Sequence, residues 1–268
     1  MERTIKRILS VIVALTLGFS SVNAEEFRGR IVKIQGEVYV INHKGEQRNP
    51  EKNKFLLSSR DTVVTRKNSR AVVQLGDGAL SVLNEKSSLR LEESGWISQL
   101  GGKVYYIFRK VFGTQSSRQV RTNFATIGVR GTTFIVYDNE DGKGVALEDG
   151  KLNIESPGED YAIHKKLQAD EFDAFKQQMQ DKADALDKEF KDYQQNLQKE
   201  FVEYKKQFDL EANQLVSFDG NRVDQTELSD QLKADFSDFA AFAGDQADAY
   251  RELEEATGET EDEDDSSF

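Results

Sequence analysis

The stretch from Val120 to Tyr137, VRTNFATIGVRGTTFIVY, narrows the possible folds more than any other part of the chain. It is dense in Val, Ile, Thr, Phe and Tyr and contains no Pro, so it suits a pleated surface and predicts central β-structure. Gly128 and Gly131 interrupt it. Glycine inside a strand marks a bulge or the close approach of another backbone. A bulge at Gly131 would turn Val129 and Phe134 into one core despite their five-residue separation. Without it, Arg130, Thr132, Phe134 and Val136 share one face.

The same texture runs from Phe27 to Pro157, as short β runs separated by turn residues. Arg30 to Ile41 alternates apolar and polar residues, and Asn42-His43-Lys44-Gly45 follows as a turn. Asp77-Gly78 and Asp149-Gly150 read as hairpin turns, because such pairs tolerate positive φ. Segments beginning at Gly36, Gly102 and Gly150 share an order of Gly, charged, apolar, polar or aromatic, apolar, which hints at repeated β units. These patterns predict a compact all-β roll, sandwich or short solenoid.

Ala125-Thr126-Ile127-Gly128-Val129-Arg130-Gly131-Thr132-Thr133-Phe134-Ile135-Val136 resembles the signature of the FecR domain, a periplasmic module of regulators of iron-siderophore signalling. Upstream, the blocks Asp61 to Thr65, Asn68 to Leu75 and Asp77-Gly78-Ala79-Leu80-Ser81-Val82-Leu83 follow that family's order. Downstream, Val145 to Ile154, with Gly150 at its turn, resembles its closing hairpin. The resemblance covers roughly residues 29–156. It implies a periplasmic or surface β module used for protein contact, with Asp77, Gly78, Val129, Arg130, Gly131, Thr132, Phe134 and Gly150 as structural signature residues. In the family's transmembrane regulators, a cytoplasmic N-terminal segment engages a sigma factor. Only seven residues precede the first apolar run here, so that segment is expected to be missing.

That run, Ile8 to Phe19, follows Arg3, Lys6 and Arg7 and leads to Val22-Asn23-Ala24, the pattern of a cleaved secretory signal over residues 1–24. It is shorter than the roughly 20 residues that span a bilayer, so no integral membrane segment is expected after removal. An uncleaved N-terminal anchor is the other reading.

Beyond Pro157-Gly158 the period changes. Ile163 to Leu215 contains no Pro or Gly, and from Leu186 its apolar positions (Phe190, Tyr193, Leu197, Phe201, Tyr204, Phe208, Ala212, Leu215) follow an eleven-residue repeat. This predicts a long helix. After a turn at Phe218-Asp219-Gly220-Asn221, a capping box of Asp224 and Glu227 opens a second helix with its stripe at Leu228, Leu232, Phe236, Phe239, Ala243, Ala247, Tyr250 and Leu253. The expected fold class is thus α+β with segregated regions. An all-β FecR-like domain over 25–158 is followed by an antiparallel, coiled-coil-like helical hairpin over 159–256 and an acidic disordered tail over 257–268.

The net charge of −12 is divided unevenly: residues 1–24 carry +2, residues 25–158 carry +5 and residues 159–268 carry −19. A basic half and an acidic half suggest distinct, complementary surfaces. There are no cysteines, which excludes disulfides, a thiol nucleophile and Cys-based metal centres. No nucleophile–base pairing, oxyanion element or phosphate-cradling glycine motif is recognisable. Neither an enzyme nor a cofactor is expected.

Arg130 could hold an anionic ligand, although an arginine inside a β signature more often braces nearby carbonyls or a carboxylate. His43, in a turn, and His164, near the expected helix start, do not make a metal site. Asp138, Glu140 and Asp141 before Gly142 lack the spacing of a calcium loop and read as a charged hairpin tip. Arg48, Lys52, Lys54, Arg60, Arg66, Lys67 and Arg70 form a basic concentration. For it, the acidic helices of the same or a neighbouring molecule are nearer partners than nucleic acid.

Together these readings predict an exported, periplasmic or secreted, non-enzymatic interaction, sensing or scaffold module of the cell envelope. Its expected partner is an unidentified protein, or a second copy through the helical region, with cell wall also possible. The alternative is a membrane-anchored component of a FecR-type signalling relay.

Overall fold

The structure is a computed structural model that describes residues 27–50, 55–93, 96–108, 118–166, 200–244 and 246. Among these residues the chain forms nineteen strands and one helix. The first nine strands are β1 (Phe27–Gln35), β2 (Val38–Ile41), β3 (Gln47–Arg48), β4 (Phe55–Ser58), β5 (Thr62–Thr65), β6 (Arg70–Leu75), β7 (Leu80–Leu83), β8 (Ser88–Leu91) and β9 (Ile97–Phe108). The next six are β10 (Arg118–Arg121), β11 (Thr126–Val129), β12 (Thr132–Asn139), β13 (Gly142–Asp149), β14 (Lys151–Glu155) and β15 (Tyr161–Lys166). Four more, β16 (Glu200–Lys205), β17 (Gln207–Glu211), β18 (Gln214–Asp219) and β19 (Arg222–Glu227), precede the helix α1 (Asp230–Ala243).

The strands make two layers that share β9. Sheet A runs β4-β1-β6-β7-β9-β12-β13-β18-β19-β15-β16. Sheet B runs β3-β2-β5-β8-β9-β10-β11-β14-β17. Strand β9 changes layer halfway: its first half pairs with β8, and its second half, from Gly102, pairs with β12. Gly102 has φ +87°, and a Cβ there would run into Ser87, so the bend depends on glycine. The buried amide of Gln99 locks the bend. Its nitrogen donates to the carbonyls of Gly102 (3.0 Å) and Val136 (3.1 Å), and its oxygen accepts from the Tyr106 hydroxyl (2.9 Å).

Between the layers lies one apolar core. Tyr106 stacks on Phe134 at 5.0 Å within sheet A, and Tyr161 of sheet A meets Phe208 of sheet B edge-on at 5.7 Å. Several sheet B strands alternate inward apolar with outward polar residues, as in SLRL of β8 and KLNIE of β14. Sheet A strands carry continuous buried runs, LSVL in β7 and FIV in β12, because both of their faces are covered.

The second cover is α1. Its N-cap Ser229 accepts from the Leu232 amide, and Asp230 lies in its first turn, where a negative charge suits the helix dipole. Leu232, Phe236, Phe239 and Ala243 are buried. They lie over a row of apolar residues in register across sheet A: Val72, Val82, Tyr105, Ile135, Ala146 and Leu215. Tyr105 meets Phe236 edge-on at 5.9 Å and stacks on Phe239 at 5.7 Å. At the margins, Lys103 pairs with Asp235 (2.8 Å), Arg70 with Asp238 (2.6 Å), and Lys33 donates to the Phe242 carbonyl (2.8 Å).

This architecture corrects the expected helical hairpin. Ile163 to Lys166 belong to β15, and residues 200–227 form four strands that extend the two sheets past Pro157-Gly158. The absence of Gly was misleading there, because Asn213 takes φ +63° at the link from β17 to β18, and asparagine enters the left-handed region more readily than other side chains. Within 200–219 the buried residues also recur at a period of two, Phe208 with Leu210 and Val216 with Phe218, which is the strand spacing. Asp224 and Glu227 form no cap, since both lie in β19. The stripe from Leu228 to Ala243 is helical only from Asp230, and it packs on sheet A rather than on another helix. That part is therefore buried within the chain. The expected signal, residues 167–199 of the long helix, Ala247, Tyr250, Leu253 and the acidic tail lie outside the described residues.

Two local readings also change. Val129 and Phe134 do enter one core, but through a corner: β11 lies in sheet B and β12 in sheet A, and Arg130-Gly131 joins them. Asp149-Gly150 is likewise a crossing between sheets, from β13 to β14, and not a hairpin turn. The two corners lie back to back. Gly150 has φ +90°, and a Cβ there would strike the Gly131 carbonyl and Thr132. Asp77-Gly78 is a hairpin turn, between β6 and β7.

Candidate functional site

With α1 over sheet A, the outer side of sheet B is the polar sheet face that meets solvent. Alternation sends Gln119 and Arg121 of β10, Thr126 and Gly128 of β11, Lys151, Asn153 and Glu155 of β14, and Asp209 of β17 to that side. Register then aligns them: Gln119 lies opposite Gly128, Gly128 opposite Asn153, and Asn153 opposite Asp209. Gly128 has no side chain, so this row has a gap in the middle. The gap is the floor of a trough of about 550 Å³ lined by Gln119, Gly128, Val129, Arg130, Lys151 and Asn153, with Gly150 and Asp209 completing it.

The charges around the trough are unequally committed. Asp209 accepts from the Asn153 amide (2.9 Å) and pairs with Lys151 (3.0 Å), and these two partners hold its carboxyl below the usual range. Lys151 also pairs with Glu211 (3.0 Å), and the hydrogen bonds to Glu211 and Asp209 push its ammonium pKa up. Arg130, at the corner between the sheets, is exposed and makes no hydrogen bond or ion pair among the described residues. On the same face Arg121 stacks its guanidinium 3.3 Å from the Trp96 ring centre.

The other signature residues are structural in position. The Asp77 carboxylate accepts from the Ala79 amide at the β6–β7 turn (3.1 Å) and pairs with Arg118 of β10. Val129, Thr132 and Phe134 are buried, and Gly78, Gly131 and Gly150 lie at turns or corners. Only Arg130 among the eight offers a free charged group to a ligand.

The basic concentration disperses on folding. Arg48 pairs with buried Asp61 (3.0 Å), Arg60 with Glu93 (2.9 Å), Arg66 with Glu37 (3.8 Å), and Arg70 with Asp238 of the helix, while Lys52 and Lys54 lie outside the described residues. His43 sits in the β2–β3 turn, and His164 lies within β15 rather than near a helix start. Glu140 and Asp141 form the β12–β13 hairpin tip, where Glu140 pairs with Lys86 and Asp138 with Lys143. Among the described residues no three His, Cys, Asp or Glu side chains gather as a metal site, and no helix is long and apolar enough to cross a membrane.

Sequence reasoning placed Lys151 and Asn153 in a signature block but assigned them no site. It missed Asp209 altogether, because that residue fell in the expected helix. The alternation of Phe208 and Leu210 around it was the available signal.

Residues 61–153 match the profile of the family described as FecR protein. The chain is also similar to two crystal structures described as "a putative anti-sigma factor" from Parabacteroides distasonis ATCC 8503, each at 14% identity with a TM-score of 0.41, covering 65% of this chain. It spans 62% of their length. None of the curated proteins matches it. The matched segment runs from Asp61, just before β5, to Asn153 in β14, so it holds β9, both glycine corners and most of the trough: residues 61–153 of this chain are a FecR domain match.

Proposed function

We propose that the chain is an exported sensing and interaction module of the cell envelope that works by binding and not by catalysis. The observation that carries this reading is the FecR match over residues 61–153. The resemblance implies a periplasmic β module used for protein contact, and the solvent-facing side of sheet B supplies a rigid surface for it. Arg3, Lys6 and Arg7 before Ile8 to Phe19, ending at Ala24, favour export. The same run, if retained, supports the second reading, a membrane-anchored member of a FecR-type relay.

N-terminal sequencing after cell fractionation tests both. A mature chain beginning at Glu25 in the periplasmic or secreted fraction is the expected result. An intact N-terminus in the membrane fraction selects the relay, and recovery from the cytosol overturns both readings.

A further inference from the structure

We propose that the trough over Gly128 binds an acidic sugar unit, with the Arg130 guanidinium holding its carboxylate and Gln119, Asn153 and Asp209 taking its hydroxyls. This deepens the sensing reading by naming the class of ligand sensed, and it rests on that reading only for its biological meaning.

Three observations lead there. The first is that nothing in the fold requires glycine at position 128. Its φ is not positive, and a Cβ there would meet the Asn153 carbonyl at 3.6 Å and the Asn153 Cβ at 3.7 Å, ordinary contact distances. Glycine inside a strand destabilises it relative to alanine. The structural result of that cost is the open floor of the trough.

The second is Arg130, which no carboxylate among the described residues neutralises, whereas Lys151 beside it is shared between Asp209 and Glu211. A guanidinium fork matches a carboxylate with two parallel hydrogen bonds. The third is the nature of the floor. Strand β11 is paired on both sides, by β10 and β14, and β14 by β11 and β17. No free backbone row is offered on that floor, so a ligand seated over Gly128 cannot bind by adding a strand, and recognition there must run through side chains. Planar amides and a carboxylate each engage neighbouring hydroxyl groups, which a sugar ring supplies at fixed spacing. A trough of about 550 Å³ is within the size of small-molecule sites.

The test is a titration of the mature chain, followed by backbone amide NMR, with tetragalacturonate as the probe. Cellotetraose serves as the uncharged control and tetraglutamate as the acidic peptide. Tetragalacturonate is expected to shift the amides of Gly128 to Gly131 and Lys151 to Asn153, and to bind about tenfold or more tightly than cellotetraose, the worth of one charge-assisted contact. Arg130→Gln removes that preference with the melting temperature unchanged, since the side chain has no partner among the described residues. Gly128→Val fills the floor and abolishes binding of both sugars. The proposal is overturned if neither sugar shifts those amides, if Arg130→Gln binds tetragalacturonate as the parent does, or if tetraglutamate binds as well as the sugar acid. A chain that binds the sugar acid but is recovered from the cytosol overturns the export reading and leaves this one standing. An exported chain indifferent to the sugar does the reverse.

Discussion

Sheets A and B are threaded by one strand, yet they bury their residues on different plans. Strand β9 shows both: its sheet B half alternates buried Ile97 and Gln99 with more exposed Ser98 and Leu100, and its sheet A half buries Val104 through Phe108 without a break. A one-sided sheet face tolerates a period of two, whereas a two-sided one reads as a continuous apolar run. The helix α1 makes the difference. It closes the outer side of sheet A and leaves that of sheet B to solvent, where a polar trough can form.

The sharpest way to break this comparison is to remove the cover. Phe236→Ala deletes a buried ring against Tyr105 and is expected to lower unfolding stability in urea by about 3–5 kcal/mol. Thr126→Ala, on the outer side of sheet B, should stay within about 0.5 kcal/mol. Equal effects would show that the two faces do not differ.

Next comes the strand that the layers share. Gln99→Leu orphans the carbonyls of Gly102 and Val136 and the Tyr106 hydroxyl, so a loss of about 3 kcal/mol is expected from equilibrium unfolding. Gly150→Ala forces a side chain into a left-handed corner against Gly131 and Thr132, with an expected loss of about 2 kcal/mol in the same measurement. A Gly150→Ala protein as stable as the parent would mean that the two corners need not touch.

The smallest expected effect is a titration on sheet B. Burial opposes the charge of Glu92, but the Ser98 hydroxyl, the Arg90 guanidinium and the field of Arg121 outweigh it and lower its pKa. A depressed carboxylate contributes stability in full above its unfolded value near 4.5 and loses it as pH falls through the folded value. Glu92→Gln should therefore flatten the acid limb of stability below about pH 4.5 and leave its shape at neutral pH unchanged.

Much of the β region was legible because its signals are local. The Asp77-Gly78 hairpin and the shared burial of Val129 and Phe134 follow from residues close in sequence, although the second works through a corner and not a bulge. The amphipathic stripe of Leu232, Phe236, Phe239 and Ala243 was legible too. What it packs on was not, because a helical stripe states that it must be covered without stating by what. The same limit hid the trough: Asn153 meets Asp209 across 56 positions of sequence, and no local pattern encodes which strands become neighbours. Between residues 200 and 219, apolar spacing satisfied two periods at once, and Asn213 in the role of a glycine decided for strands.

Strand β9 also has a mechanical consequence. Layers joined only by loops can slide or hinge apart while each keeps its own ladder. Here a single uninterrupted backbone carries hydrogen bonds in both layers, so any force that parts them must first unzip rungs on either side of Gly102. Tension applied at one layer reaches the other without passing through a flexible joint, and the body should yield under load in one step.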